Sequence, residues 1–360
     1  MSHNAPLTYV RALSATLSPR CVNRCGFCAY PLRKYRAAPS LKRWRQILRA
    51  GRPWEPTCLH LTGGEPFTKD RELLQTVRYY GHEDAVDYVH TLLAVAMEEH
   101  HGGLLTSVEL GELRRADLQR LRPVVSEYVV GIVAFDPAIF DTALLWNAPT
   151  MAPPRRLELI QMLGQLRMPT TVNLLIGLGE CESSRLQTLA ALAEVHARRG
   201  HLQAVRISPF RPRAGTPLEN HPATPPDLIV RTVRQAAEIL QGIPVQVPAL
   251  AVEDFVERCA EAGAQDLGLI TADPQSDFTM TARSWGKVER RLHEHGHRLV
   301  ERLALTEQAV AHGLFTDNQR RCIARQLTCL EERHVRPVAA PVAAAAPEVV
   351  EVDETRQASA

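Results

Sequence analysis

The stretch "TTVNLLIGLGECESSRLQTLAALAEVHARRGHLQAVRISPF" (170–210) reads as strand, helix, strand. Residues 170–179 are apolar and end on Gly-Leu-Gly, 183–200 carry apolar side chains at helical spacing, and 204–210 return to a short β-type run. Two strands separated by a helix are joined by a crossover rather than a hairpin, so they lie parallel. Working outward, apolar β-type runs recur at 57–63, 127–135 and 243–248, and helical periodicity at 41–50, 84–100, 156–166 and 226–240. Some six repeats of this alternation predict an α/β fold, a partial or full (β/α) barrel of parallel strands with helices outside. In such folds reactive groups collect at the carboxyl ends of the strands, where the βα loops project and helix N-termini present their N–H groups.

The chain has 360 residues, 45% of them hydrophobic, enough for one large core or two moderate ones. Lys plus Arg number 42 against 40 for Asp plus Glu, a formal charge of +2, and no basic run is interleaved with aromatics. That balance argues against a nucleic-acid partner. No apolar run reaches the roughly 18 residues that cross a bilayer, and "MSHNAPLTYV" (1–10) lacks the charged and apolar regions of a signal peptide. The expectation is a cytoplasmic protein acting on a small molecule without a membrane. Residues 1–305 are expected to form the barrel domain with its extension and 306–335 a helical segment. Residues 336–360, rich in Ala, Pro and Val, are expected to be a disordered tail.

Eight cysteines in a reducing compartment are not a disulfide framework, and clustered ones hold metal or do redox chemistry. Cys21, Cys25 and Cys28 cluster in "CVNRCGFCAY" (21–30), directly after an expected first strand at 9–18 and so in the first βα loop. Three thiolates from one loop leave one corner of a tetrahedral metal site, or one iron of a four-iron cluster, open for chemistry. A structural zinc would want a fourth ligand at matching spacing; His60 is a candidate, but it lies within a β-type run. Cys58, Cys181, Cys259, Cys322 and Cys329 are scattered and are expected to be small buried apolar residues.

A CxxxCxxC pattern with an aromatic residue, here Phe27, before the third cysteine resembles the radical S-adenosylmethionine (radical SAM) enzymes. "TGGEP" (62–66) resembles the element that receives the methionine amino group in that family. The resemblance implies that Cys21, Cys25 and Cys28 ligate a [4Fe-4S] cluster and that Phe27, Gly63, Gly64, Glu65 and Pro66 contact S-adenosyl-L-methionine. It also implies that Gly177 and Glu180 of "NLLIGLGE" (173–180) meet the adenosyl part. Segments 81–89, 174–180, 201–222 ("HLQAVRISPFRPRAGTPLENHP"), 243–248, 262–268 and 296–305 are similar to the 7,8-didemethyl-8-hydroxy-5-deazariboflavin synthases, over most of residues 10–305. Members of that family take an adduct of tyrosine with a ribityl-diaminouracil, abstract hydrogen and close the deazaflavin ring with loss of ammonia. The resemblance therefore implies a radical SAM lyase or synthase of deazaflavin cofactor biosynthesis. It also implies an electron donor such as flavodoxin or ferredoxin, and a companion radical SAM subunit that supplies the adduct.

Arg211 and Arg213 flank Pro212 at a strand end and could grip a uracil edge or ribityl hydroxyls through their forked donors. Gln246 could read a donor and an acceptor of the heterocycle, and His82 could carry a proton. The chain departs from the deazaflavin pattern in its middle. "GLLTSVELGEL" (103–113) stands where the family has a "PHTNPG"-like loop after the third strand, Ala134 and Phe135 where a glutamate is usual, and Asn173 where a glycine is usual. Only the "PRR" end of "LLWNAPTMAPPRR" (144–156) looks familiar. A radical SAM paralogue with another small-molecule substrate, or a non-catalytic scaffold descended from one, therefore stays open.

Overall fold

The computed structural model describes residues 6–32, 38–99, 103–136, 139, 144–145, 147–271 and 280–335. Among the described residues nine strands lie in one sheet: β1 Leu7–Thr16, β2 Cys58–Thr62, β3 Leu105–Glu109, β4 Glu127–Val133, β5 Thr170–Ile176, β6 Leu202–Pro209, β7 Val245–Gln246, β8 Asp266–Ile270 and β9 Leu299–Glu301. Strands β1 to β8 pair in chain order and β8 returns to β1, all parallel, so the sheet closes into an eight-stranded barrel. Strand β9 extends the start of β1, pairing Leu7 with Leu299.

The helices are α1 Leu41–Ala50, α2 Arg71–Tyr79, α3 Ala85–Glu99, α4 Arg115–Leu121, α5 Pro153–Gln165, α6 Glu182–Arg199, α7 Pro226–Ile239, α8 Ala249–Val252, α9 Val256–Glu261, α10 Ala282–Glu294, α11 Glu307–His312 and α12 Asp317–Val335. Most occupy the crossovers between strands. Their apolar sides and the outward side chains of the strands make one continuous core, which includes Trp44, Leu93, Val108, Ile160, Val205 and Trp285. The expected barrel is therefore present and fully closed. Strands β3 and β8 were not foreseen: each has five residues, and Ser107 and Glu109 of β3 or Asp266 of β8 break the apolar run that marks a buried strand.

The barrel interior is polar. Arg206 on β6 donates from Nε to Oε1 of Gln246 on β7 (3.2 Å), Arg302 is ion-paired to Asp266, and Glu127 on β4 accepts from Thr171 Oγ1 at 2.5 Å. Burying such groups costs several kcal/mol each unless they are paired, and this network pairs them. At the far end α12 reaches back: Gln319 donates to the carbonyls of Arg122 and Val125 (3.1 and 2.9 Å), and Gln326 to that of Gly103. Cys58, Cys259 and Cys322 are buried as expected. Cys181 is not: it is exposed at the N-cap of α6, with the Ser183 and Ser184 hydroxyls 3.0 Å away, because a cap faces the loop rather than the core.

Candidate active site

The carboxyl end of the barrel opens on a cavity of about 1030 Å³. Cys21, Cys25, Phe27, Cys28, Gly63, Gly64, Glu65, Arg211 and Arg213 all line it, although they come from three separate loops. The cysteine loop is tied down on every side. Leu17 N–H reaches the Thr62 carbonyl (2.7 Å), Val22 N–H the Glu65 carbonyl (2.6 Å), Gly26 N–H the Leu144 carbonyl (2.9 Å), and Leu218 N–H the Gly26 carbonyl (3.1 Å). Phe27 and Cys25 pack on a small apolar cluster at the rim that contains Val133, Leu145, Leu178 and Phe210.

The two glycines after β2 have a steric purpose at the second position. A Cβ on Gly64 would fall 1.8 Å from the Arg20 carbonyl oxygen, so only glycine lets this turn lie against the cysteine loop. The contact is consolidated by hydrogen bonds from Gly64 N–H to the Ser18 carbonyl (2.8 Å) and from Glu65 N–H to Cys21 Sγ (3.4 Å). A second backbone donor, Tyr30 N–H, points at Cys28 Sγ (3.4 Å). The Glu65–Pro66 peptide is cis, and Pro66 lies just off the cavity wall.

The carboxylate of Glu65 is the centre of a network that the sequence did not reveal. Oε1 takes Arg156 Nη2 at 2.5 Å; Oε2 takes Thr150 Oγ1 at 2.5 Å and Glu112 N–H at 3.4 Å. Thr150 is in turn joined to Asn23 of the cysteine loop through two bonds, Asn23 Nδ2 to Thr150 Oγ1 (2.5 Å) and Thr150 N–H to Asn23 Oδ1 (3.1 Å). Arg156 is 2% exposed, lines the cavity, and keeps a buried Nε without a hydrogen-bond partner among the described residues. The only signal for it was the "PRR" triplet.

Burial pushes the Cys25 thiol far up, with Cys28 and Cys21 adding repulsion, and burial likewise raises Cys21. Three neighbouring thiolates need a positively charged centre to coexist, which an iron cluster supplies. Among the described residues no three Cys, His, Asp or Glu side chains converge as a single metal ion would require. His60 does not join the cysteines: it is buried in β2, with Nδ1 3.2 Å from Ser107 Oγ, and burial beside the Arg206 guanidinium pushes it down to about 3. With His60 held elsewhere, the three cysteine thiols of one loop fit the three protein ligands of a four-iron cluster whose fourth iron is left open.

Several expected residues stand elsewhere. Glu180 is buried and off the cavity wall; its oxygens accept the Gly177 and Leu178 N–H groups (both 2.8 Å) and Arg185 Nη1 (3.3 Å), closing the β5–α6 turn that also holds Gly177. Gln246 is 2% exposed below the cavity, its amide oxygen directed at Arg206. His82 sits between α2 and α3, 2.9 Å from Asp87 and outside the barrel mouth. In contrast, Ser14, His60, Glu109, Asn173 and Ser208 enter the cavity from the strands, and of these Ser14, Glu109 and Ser208 left no sign in the sequence.

This geometry and the comparisons with known proteins agree on a class. Residues 16–192 match the Radical SAM superfamily, and the protein is an enzyme of that kind, using a [4Fe-4S] cluster and S-adenosylmethionine. Over most of its length the chain is similar to proteins named 7,8-didemethyl-8-hydroxy-5-deazariboflavin synthase. The one from Methanopyrus kandleri is 29% identical over 329 residues, 87% of this chain and 95% of that one. The one from Archaeoglobus fulgidus is 29% identical over 285 residues, 79% and 85% of the two chains. Among solved structures the fold resembles HydG, a maturase of the [FeFe]-hydrogenase, with a TM-score of 0.66 and 13% identity across 90% of this chain and 70% of that one. It also resembles methylornithine synthase (PylB), with a TM-score of 0.58 and 17% identity across 85% of each chain. Among the described residues no helix is long and apolar enough to cross a membrane.

Proposed function

We propose that this enzyme closes the ring of a tyrosine–diaminouracil adduct to give 7,8-didemethyl-8-hydroxy-5-deazariboflavin with loss of ammonia. The observation that carries the reading is that one cavity joins the three cysteines and the Glu65 turn to the Arg211–Arg213 segment, part of the stretch that resembles the deazariboflavin synthases. Cys21, Cys25 and Cys28 would hold the cluster. Bound there, cluster and S-adenosylmethionine would supply radical hydrogen-abstraction chemistry.

The chain's own residues bind and orient. Glu65, fixed by Arg156 and Thr150, presents a carboxylate for the methionine ammonium beside Gly63 and Gly64, and the buried Arg156 keeps that carboxylate from turning away. Phe27 and the apolar rim exclude water from the cysteine side. Arg211, whose Nη1 donates to the Leu250 carbonyl (3.2 Å), and Arg213 stand exposed on the cavity wall, where a ribityl chain or uracil oxygen would meet them. An electron donor of the flavodoxin or ferredoxin kind and a companion enzyme delivering the adduct complete this reading.

A second reading has one specific observation behind it. Ala134 is buried, and Asn173 enters the cavity where the family has a glycine, so the floor differs from the deazaflavin pattern and a paralogue's substrate could fit. The deciding experiment is an anaerobic assay of the reconstituted full chain with dithionite, S-adenosylmethionine and the adduct, following 5′-deoxyadenosine and deazaflavin fluorescence together. Both signals support the ring closure. Deoxyadenosine without the fluorescent product moves the assignment to another substrate, and neither signal rejects catalysis altogether.

A further inference from the structure

Ala134 and Phe135, which follow β4, stay off the cavity wall, and the carboxylate that reaches the cavity in this part of the barrel comes from β3. Glu109 is the last residue of β3, paired with Thr62 of β2, and its carbonyl accepts the N–H of Gly63 (3.1 Å). Its backbone therefore braces the turn that carries Glu65. Alternation along β3 turns Ser107 and Glu109 to the barrel interior and Thr106 and Val108 outward.

The side chain spans two strands. Oε2 lies 3.9 Å from His60 Nε2 on β2, and on the other side a Cβ placed on Gly131 of β4 would come within 3.2 Å of Oε1. Gly131 lies mid-strand, where glycine is otherwise unfavourable and commonly marks a close approach. Burial holds the His60 imidazole neutral, and the charge that acts on Glu109 from inside the barrel is the buried Arg206 guanidinium. The 3.9 Å separation is too long for a hydrogen bond. Glu109 is 30% exposed in its side chain, and it shares the cavity floor with Asn173 and Ser208. Arg156, ion-paired to Glu65, and the exposed Arg211 and Arg213 line the same cavity.

We propose that Glu109 is a substrate-binding residue whose carboxylate accepts hydrogen bonds from an amine or other N–H-bearing nitrogen of the substrate, with Gly131 leaving the space that carboxylate needs. The inference rests on the ring-closure reading only for its probe. Under that reading the substrate carries amine nitrogen, the donor that a carboxylate on the cavity wall would accept from.

The test measures the dissociation constant of the tyrosine–diaminouracil adduct by calorimetry on the anaerobic, cluster-loaded full chain, with KM and kcat for the fluorescent product alongside. E109Q keeps the shape and removes the charge, and G131A crowds the carboxylate without touching it chemically. With cluster absorbance and melting temperature retained, E109Q is expected to weaken binding about 10-fold or more and to raise KM in step, as loss of a charged hydrogen bond does. G131A is expected to weaken binding several-fold. Wild type that binds and turns over the adduct, with both variants binding it equally well, overturns the role of Glu109 and leaves the ring closure standing. Wild type that neither binds nor converts the adduct overturns the ring closure and this inference with it.

Discussion

Cys25 and Arg156 show how differently two residues of one site depend on their surroundings. Cys25 is half-buried among apolar side chains, and its thiolate is tolerable only with a cationic centre beside it. Cys25→Ala is expected to abolish both cluster absorbance and 5′-deoxyadenosine formation in anaerobic reconstitution; retention of either would contradict the ligand assignment. Arg156 acts through Glu65. Arg156→Met leaves a largely buried carboxylate with only neutral partners, and breaking a buried ion pair on one side costs on the order of 3 kcal/mol. Urea unfolding should show that loss, and equilibrium dialysis should show weaker S-adenosylmethionine binding. An unchanged midpoint and affinity would mean that Thr150 alone holds Glu65.

At the level of elements, the site is made by loops that touch rather than by any one of them. The loop after β3 returns at Gly111, whose φ is +69° and where a Cβ would lie 1.8 Å from Glu65 Cγ. Its carbonyl also accepts the Tyr128 hydroxyl at 2.6 Å. Gly111→Ala combines a strained backbone with a direct clash, so it is expected to lower stability by about 1–3 kcal/mol and to displace Glu65. A thermal melt measures the first and S-adenosylmethionine affinity the second; a drop in stability with affinity intact would uncouple this loop from the cofactor turn. Helix α12 has a different task, closing loop carbonyls at the opposite end of the barrel. Gln319 is fully buried there, and Gln319→Leu leaves two carbonyls without their donor, an expected loss of about 1–3 kcal/mol in denaturant unfolding with KM unchanged.

For the whole molecule, two buried histidines set an acid limit. His60 is pushed down to about 3 and His201, whose Nε2 lies 2.9 Å from the Ile160 carbonyl, to about 4, both by burial. In the unfolded chain each titrates near 6.5. Between those values the unfolded state holds more protons than the folded one. The stability tied to neutral imidazoles is therefore complete above about pH 6.5 and is lost as pH falls toward about 4, by up to roughly 1.4 kcal/mol per pH unit for each histidine. Denaturant midpoints recorded from about pH 7 to pH 5 should show this slope, and His201→Gln should reduce it by about half; a flat profile would mean that the two rings are charged in the fold.

The sequence by itself determined the alternation of strand and helix, the place of the cysteines after the first strand and the Gly-Gly-Glu-Pro turn after the second. Each of these is written in neighbouring residues: apolar periodicity over 170–210, and ligand spacing within 21–28. Strand β3 escaped notice because Ser107 and Glu109 face a polar interior and leave no apolar run, so Glu109 looked like part of a loop. Glu180 and Gln246 were read as ligand contacts, yet the structure spends them on the Gly177–Leu178 turn and on Arg206. Tertiary structure alone decided that barrel closure is complete, that Arg156 clasps Glu65 across 91 residues of chain, and that Glu109 and Arg211 line a single cavity. Such pairings depend on which strands become neighbours when the sheet closes, a relation between distant residues that no local pattern carries.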